Sequence, residues 1–88
     1  MKIFTHLKVY HGQALCYCAI GLLMYSNPNG FMTKKTNENQ IFDKAMKRFE
    51  EAAQLYNKSN HYVGEAFCNK MLGFIKKKLG ENVSFINL

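Results

Sequence analysis

Between Ile41 and Tyr56 the apolar residues recur at spacings of three and four: Ile41, Phe42, Ala45, Met46, Phe49, Ala52, Ala53 and Tyr56. On a helix these positions form one broad stripe, and Lys44, Lys47, Arg48, Glu50 and Glu51 are left facing water. Glu51 precedes no lysine at the favourable four-residue spacing, so packing rather than surface ion pairs must hold this helix. A helix over 37–57 is predicted, with Thr36 or Asn37 accepting hydrogen bonds from the first free amides as its N-cap.

Two more helices flank it. The first is expected over 5–26, stopped by Asn27-Pro28-Asn29-Gly30, where a proline and a glycine follow the last periodic residue. Residues 31–37 form a polar, basic connector. Lys58-Ser59-Asn60 is a turn long enough only for an antiparallel neighbour. The third helix is expected over 61–79, with Ala66, Phe67, Met71, Leu72, Phe74, Ile75 and Leu79 as its apolar positions. Gly80 is expected to end it as a left-handed cap, with Lys76, Lys77 and Lys78 in the last turn complementing the helix dipole. Residues 81–88 are then an extended tail.

An internal match supports this layout. The segment from Gly12 to Leu23 can be laid over Gly64 to Ile75, bringing Gly on Gly, Ala14 on Ala66, Cys16 on Cys68 and Gly21 on Gly73. Small residues at regular spacing let helix backbones approach closely. Ala14, Gly21, Ala52, Ala66 and Gly73, with Phe49, are therefore expected at the helix-packing positions. The fold class this implies is all-α: three antiparallel helices of a tetratricopeptide-like α-solenoid, one helical segment over 1–88. A chain of 88 residues buries only about 60–65% of its unfolded surface, so it is expected to belong to a larger helical domain.

From Val9 to Tyr25 there is no formal charge, a pattern shared with signal peptides and membrane anchors. The stretch nevertheless contains His11, Gly12 and Gln13, falls short of the about 20 apolar residues a span requires, and leads into no small-x-small cleavage site. A helix buried on most sides is the expectation, in a cytoplasmic setting.

Twelve lysines and arginines against six acids give a net charge of +6, which favours acidic partners. Among these, nucleic acid is not expected, because aromatic residues do not interleave with the charges as a stacking platform needs. The exposed cluster Lys76, Lys77, Lys78 suits anionic lipid headgroups or an acidic helix. Cys16, Cys18 and Cys68 lie inside periodic apolar segments and are expected as buried free thiols, not a disulfide framework. Zinc binding by Cys16 and Cys18 is not expected, because residues i and i+2 of a helix point about 200° apart. Cys68 with His61, or Cys16 with His11, could form a thiol–imidazole pair. Neither pair has a third orienting group or an elbow motif beside it. No catalytic residue, metal or cofactor is therefore expected, and the chain is read as a binding protein.

Three places resemble the C-terminal part of a BRO domain, the helical domain of Alix-like proteins in endosomal sorting. They are His6-Leu7-Lys8 followed by Ala14, Tyr17-Cys18 and Gly21; the run from Lys44 to Ala52; and Lys70 to Lys78 leading to Glu81-Asn82 and Phe85-Ile86. Asn87 stands where that family carries tyrosine. The resemblance implies a scaffold that binds an amphipathic helix of an ESCRT-III subunit, with endosomal association; that family's groove is expected mainly upstream of Met1, so it assigns no binding residue here. The segment from Phe49 to Tyr56, followed by Gly64 to Cys68, is also similar to tetratricopeptide and SNAP-like arrays, which implies the same fold and protein binding.

Overall fold

The computed structural model describes the backbone of residues 2–86 and the side chains of 9–81. Within those bounds the chain is all-α: α1 spans Lys2–Ser26, a single 3-10 turn covers Pro28–Phe31, α2 spans Glu38–Lys58 and α3 spans Tyr62–Ile86. The described residues measure 57 × 24 × 15 Å. No helix among them is long and apolar enough to cross a membrane.

The start of α2 is fixed by a reciprocal cap. Asn37 Oδ1 accepts from the Gln40 amide and Gln40 Oε1 accepts from the Asn37 amide, both at 2.9 Å, so two otherwise free N–H groups are satisfied. Just before it, Thr33 N–H donates to Thr36 Oγ1 at 2.7 Å. Thr36 thus belongs to the connector's turn, and Asn37 is the cap.

The α2–α3 turn is equally defined. Asn60 takes the left-handed conformation with φ 58°, which asparagine tolerates better than most residues. Its amide donates to the Asn57 carbonyl at 3.1 Å, and the His61 amide donates to the Tyr56 carbonyl at 2.8 Å. This is the double-bonded Schellman ending. His61 then caps the next helix, its Nδ1 accepting from the Gly64 amide at 3.0 Å. One residue both closes α2 and opens α3, so the two helices cannot separate without breaking both ends.

The core is organised around α2, whose Ile41, Phe42, Ala45, Phe49, Ala52 and Tyr56 are all buried. α1 and α3 both pack along it. Among the side chains described, those buried are Ala14, Cys18 and Gly21 of α1 and Gly64, Cys68, Met71 and Ile75 of α3. Phe49 has no exposed surface, and a methyl placed on Gly21 would stand 2.9 Å from its ring. Large side chains on α2 therefore require small ones opposite, so that the helices can close on one another.

Several boundaries differ from the sequence expectation. α1 begins at Lys2, earlier than residue 5. α3 does not stop at Gly80 but runs to Ile86, and no glycine has positive φ. Glycine weakens a helix interior by about 1 kcal/mol without ending it, and the chain makes no turn at Gly80 that would need a left-handed residue. Residues 81–86 are thus helical, not an extended tail, while Asn87 and Leu88 lie outside the described residues. Lys76, Lys77 and Lys78 consequently sit well inside α3, away from its terminal carbonyls.

Ala66 and Gly73, expected at packing positions, are exposed, and Gly73 has open space around it. The buried ladder of α3 runs through 64, 68, 71 and 75, and a residue two places off it faces about 200° away. Ala14, Gly21, Phe49 and Ala52 are buried as expected. Cys16 is the third departure: it is exposed, whereas Cys18 and Cys68 are buried.

Candidate docking cleft and thiol pair

α1 and α3 run parallel, each antiparallel to α2, and touch side by side over part of their length. Two like pairs mark the contact. His11 and His61 have ring centroids 4.6 Å apart at 79°, and the Cys18 and Cys68 sulfurs lie 3.7 Å apart. Both pairs are separated by fifty residues, as is Leu22 from Leu72, so His-x6-Cys-x3-Leu occurs once in α1 and once in α3. The Gly12 match, which put Cys16 over Cys68, is therefore two residues out of the structural register. Identical spacing of a histidine and a cysteine was the signal available in the sequence, and overall similarity of apolar residues hid it.

Tyr56 of α2 lies beneath these pairs. Its ring is 5.6 Å from His11 and 5.1 Å from His61. A Cβ on Gly64 would meet both the Tyr56 ring and His61 Nδ1 at 2.7 Å, so only glycine fits where α3 crosses this ring. Burial pushes the Tyr56 hydroxyl above its ordinary value, and charge on Cys18 and Cys68 and a hydrogen bond with Cys18 push the same way. Burial likewise pushes the Cys68 thiol up to about 12, with the hydrogen bond and charge of Cys18, then Glu65, adding to it. At neutral pH Cys68 is a protonated, weakly nucleophilic thiol.

No hydrogen bond joins Cys68 to His61 or Cys16 to His11 among the described residues, and His61 Nδ1 is engaged by Gly64. Neither thiol–imidazole pair is brought together. Among the described residues no group of three or more His, Cys, Asp or Glu is placed to hold a metal ion.

Along the seam that holds the thiols lies an apolar cleft of about 420 Å³, walled by Leu15, Ala19 and Leu22 on one side and by Val63 and Phe67 on the other. Cys18, Tyr56 and His61 also reach it. Leu15 is 52% exposed and Val63 79% exposed, so the walls are large aliphatic groups left in water. Along α3 the row continues from Val63 and Phe67 to Lys70 and Phe74 at helical spacing, with Lys70 Nζ 5.7 Å from the Phe74 ring centroid. Lys76, Lys77 and Lys78 follow, all exposed. By the register of the cysteine pair, Lys76 is level with Ser26, the end of α1, and α3 continues past it.

No family model, curated protein or solved structure matches this chain. The side chains of His6, Leu7, Lys8, Phe85 and Ile86, on which the BRO-domain resemblance partly rests, lie outside the described residues.

Proposed function

We propose that this chain is a non-catalytic binding module whose α1/α3 cleft takes an amphipathic helix of a partner protein. One observation carries the reading: the walls of the cleft expose Leu15, Leu22, Val63 and Phe67, while Ala14, Cys18, Gly64 and Cys68 of the same helices are turned into the core. A partner helix covering the cleft with residues at i, i+3, i+4 and i+7 would remove that apolar surface from water. Lys70 and the lysines at 76–78 favour acidic residues on the partner's flank. The BRO-domain resemblance suggests only the partner class, the C-terminal helix of an ESCRT-III subunit, and with it an adaptor role in endosomal sorting; none of that family's groove residues is carried over to this cleft. The alternative of a tetratricopeptide-like binding module rests on the succession of antiparallel helices alone, because the fifty-residue recurrence of His-x6-Cys-x3-Leu is longer than that family's repeat of about 34 residues.

The test is a fluorescence-anisotropy titration of a labelled ESCRT-III C-terminal helix with the full chain and with a Leu15→Gln, Val63→Gln variant. Saturable binding weakened at least tenfold in the variant supports the reading. Binding that the variant leaves unchanged removes the cleft from it, and absence of binding removes the partner class.

A second reading rests on the exposure of Lys76, Lys77 and Lys78 next to exposed Phe74: a basic surface that lies on anionic membranes. Flotation with anionic vesicles separates the two, because this reading requires binding that is lost in high salt.

A further inference from the structure

The sulfurs of Cys18 and Cys68 are in contact at 3.7 Å although the residues are fifty positions apart and belong to different helices. Both are free thiols. The contact is 7% exposed on the Cys18 side and sealed on the Cys68 side, and Cys18 lines the open cleft between α1 and α3. A disulfide needs its sulfurs at about 2.05 Å, so closure requires a movement of less than about 2 Å. Cys16, exposed and two residues away on the same helix, faces away from this contact and cannot reach Cys68.

We propose that Cys18 and Cys68 are a modification site that a small-molecule disulfide converts into a covalent staple between α1 and α3. The small molecule enters by the cleft. The Cys18 thiolate attacks one of its sulfurs, a mixed disulfide forms and one small thiolate leaves. Cys68 then gives up its proton, its thiolate attacks the Cys18 sulfur, the Cys18–Cys68 bond forms and the second small thiol departs. The protein loses two protons and two electrons, and the small-molecule disulfide is reduced to two thiols. The second step is the slower one near neutrality, because burial keeps Cys68 protonated, and it accelerates with pH. Once formed, the bond replaces two polar S–H groups in an apolar setting. It also closes a long loop of the unfolded chain, which favours the folded state.

The experiment uses the full-length Cys16→Ala chain, which removes the exposed thiol without touching the core, incubated natively with oxidised glutathione. Intact mass under non-reducing conditions is expected to fall by two hydrogens, and proteolysis should recover a peptide pair joined through Cys18 and Cys68. The closure rate should be independent of protein concentration and rise from pH 7 to pH 9, and Tm should increase by about 10 °C and revert with dithiothreitol. Glutathione adducts that never resolve, dimers in place of the internal bond, or closure only after denaturation would each overturn the proposal. None of these readouts depends on a docked partner, so failure of the staple and failure of the cleft are separable.

Discussion

α1 and α2 lie against one another, yet they meet the core with opposite kinds of side chain. α2 turns its largest residues inward, Ile41, Phe42, Phe49 and Tyr56, and its charges outward. α1 turns inward Ala14, Cys18 and Gly21, and leaves Val9, Leu15, Ile20, Leu22 and Leu23 in water. α3 follows α1 over its first turns, with Gly64 and Cys68 inside and Val63 and Phe67 outside, and then buries the larger Met71 and Ile75 while Phe74 stays exposed. Interiors are filled at crystal-like density, so a helix that fills the middle with aromatic rings leaves room only for small groups opposite. Opposite Phe49 and Tyr56, size complementarity decides which face of α1 and α3 is buried, whereas nearer the far end of the bundle Tyr25, Met71 and Ile75 also pack into the core. The surplus large residues on the far side then make the cleft.

The strongest way to break this arrangement is to empty its centre. Phe49→Ala removes a side chain with no exposed surface and should cost about 3–5 kcal/mol. A chain of this size has on the order of 4–13 kcal/mol in total. Urea denaturation followed by circular dichroism should show a midpoint far below that of the parent. A midpoint close to that of the parent would mean α2 is not the hub.

The next effect tests the small face through its one strongly perturbed thiol. In the unfolded chain Cys68 ionises near its ordinary value of 9.0, whereas in the fold its proton is held to about 12. Between those values the folded state binds more protons, so stability is full below about pH 9 and falls as pH rises toward 12. Thermal melts across that range should show a declining Tm, and Cys68→Ala should remove part of the slope. A Cys68→Ala variant with an unchanged slope would place the ionisation elsewhere.

The contrast also explains what could be read in the sequence. The buried face of α2 was legible, because apolar residues recur at helical spacing between charged ones: Ile41, Phe42, Ala45, Phe49, Ala52 and Tyr56 are buried, with Met46 and Ala53 half-buried at its edges. In α1 nothing between Val9 and Tyr25 is charged, so periodicity had no polar side against which to define the buried one. Small residues were correctly sought at the helix contacts, and Ala14, Gly21 and Ala52 are there. For α3 the wrong register of the internal match carried the expectation to Ala66 and Gly73, two residues away from the real ladder at Gly64, Cys68 and Met71. The cleft was not legible at all, since it consists of residues whose hydrophobicity argued for burial.

Enlarging the small face should give effects of opposite sign at two glycines of α3. Gly64→Ala drives a methyl to 2.7 Å from the Tyr56 ring and from the His61 nitrogen that caps the helix, and should cost about 1–3 kcal/mol. Gly73 has nothing within reach of an added Cβ, so Gly73→Ala should gain up to about 1 kcal/mol from helix propensity alone. Chemical denaturation of the pair measures both. If the two substitutions moved stability in the same direction, the ladder at 64, 68, 71 and 75 would not be the packed face.

The smallest effect is the most informative about function. Leu15→Gln and Val63→Gln alter side chains that are 52% and 79% exposed, and each should change stability by less than about 1 kcal/mol. Such residues would ordinarily be read as holding a helical core, and replacing them by an amide would then unfold the chain. Here the core volume opposite Phe49 and Tyr56 is already filled by Ala14, Cys18, Gly64 and Cys68, so the large aliphatic groups have no structural position left to occupy. A near-neutral result in denaturation, combined with weakened binding in the anisotropy titration, would separate the residues that hold the helices together from those that await a partner. A large loss of stability would instead put Leu15 and Val63 in the core and close the cleft as a docking site.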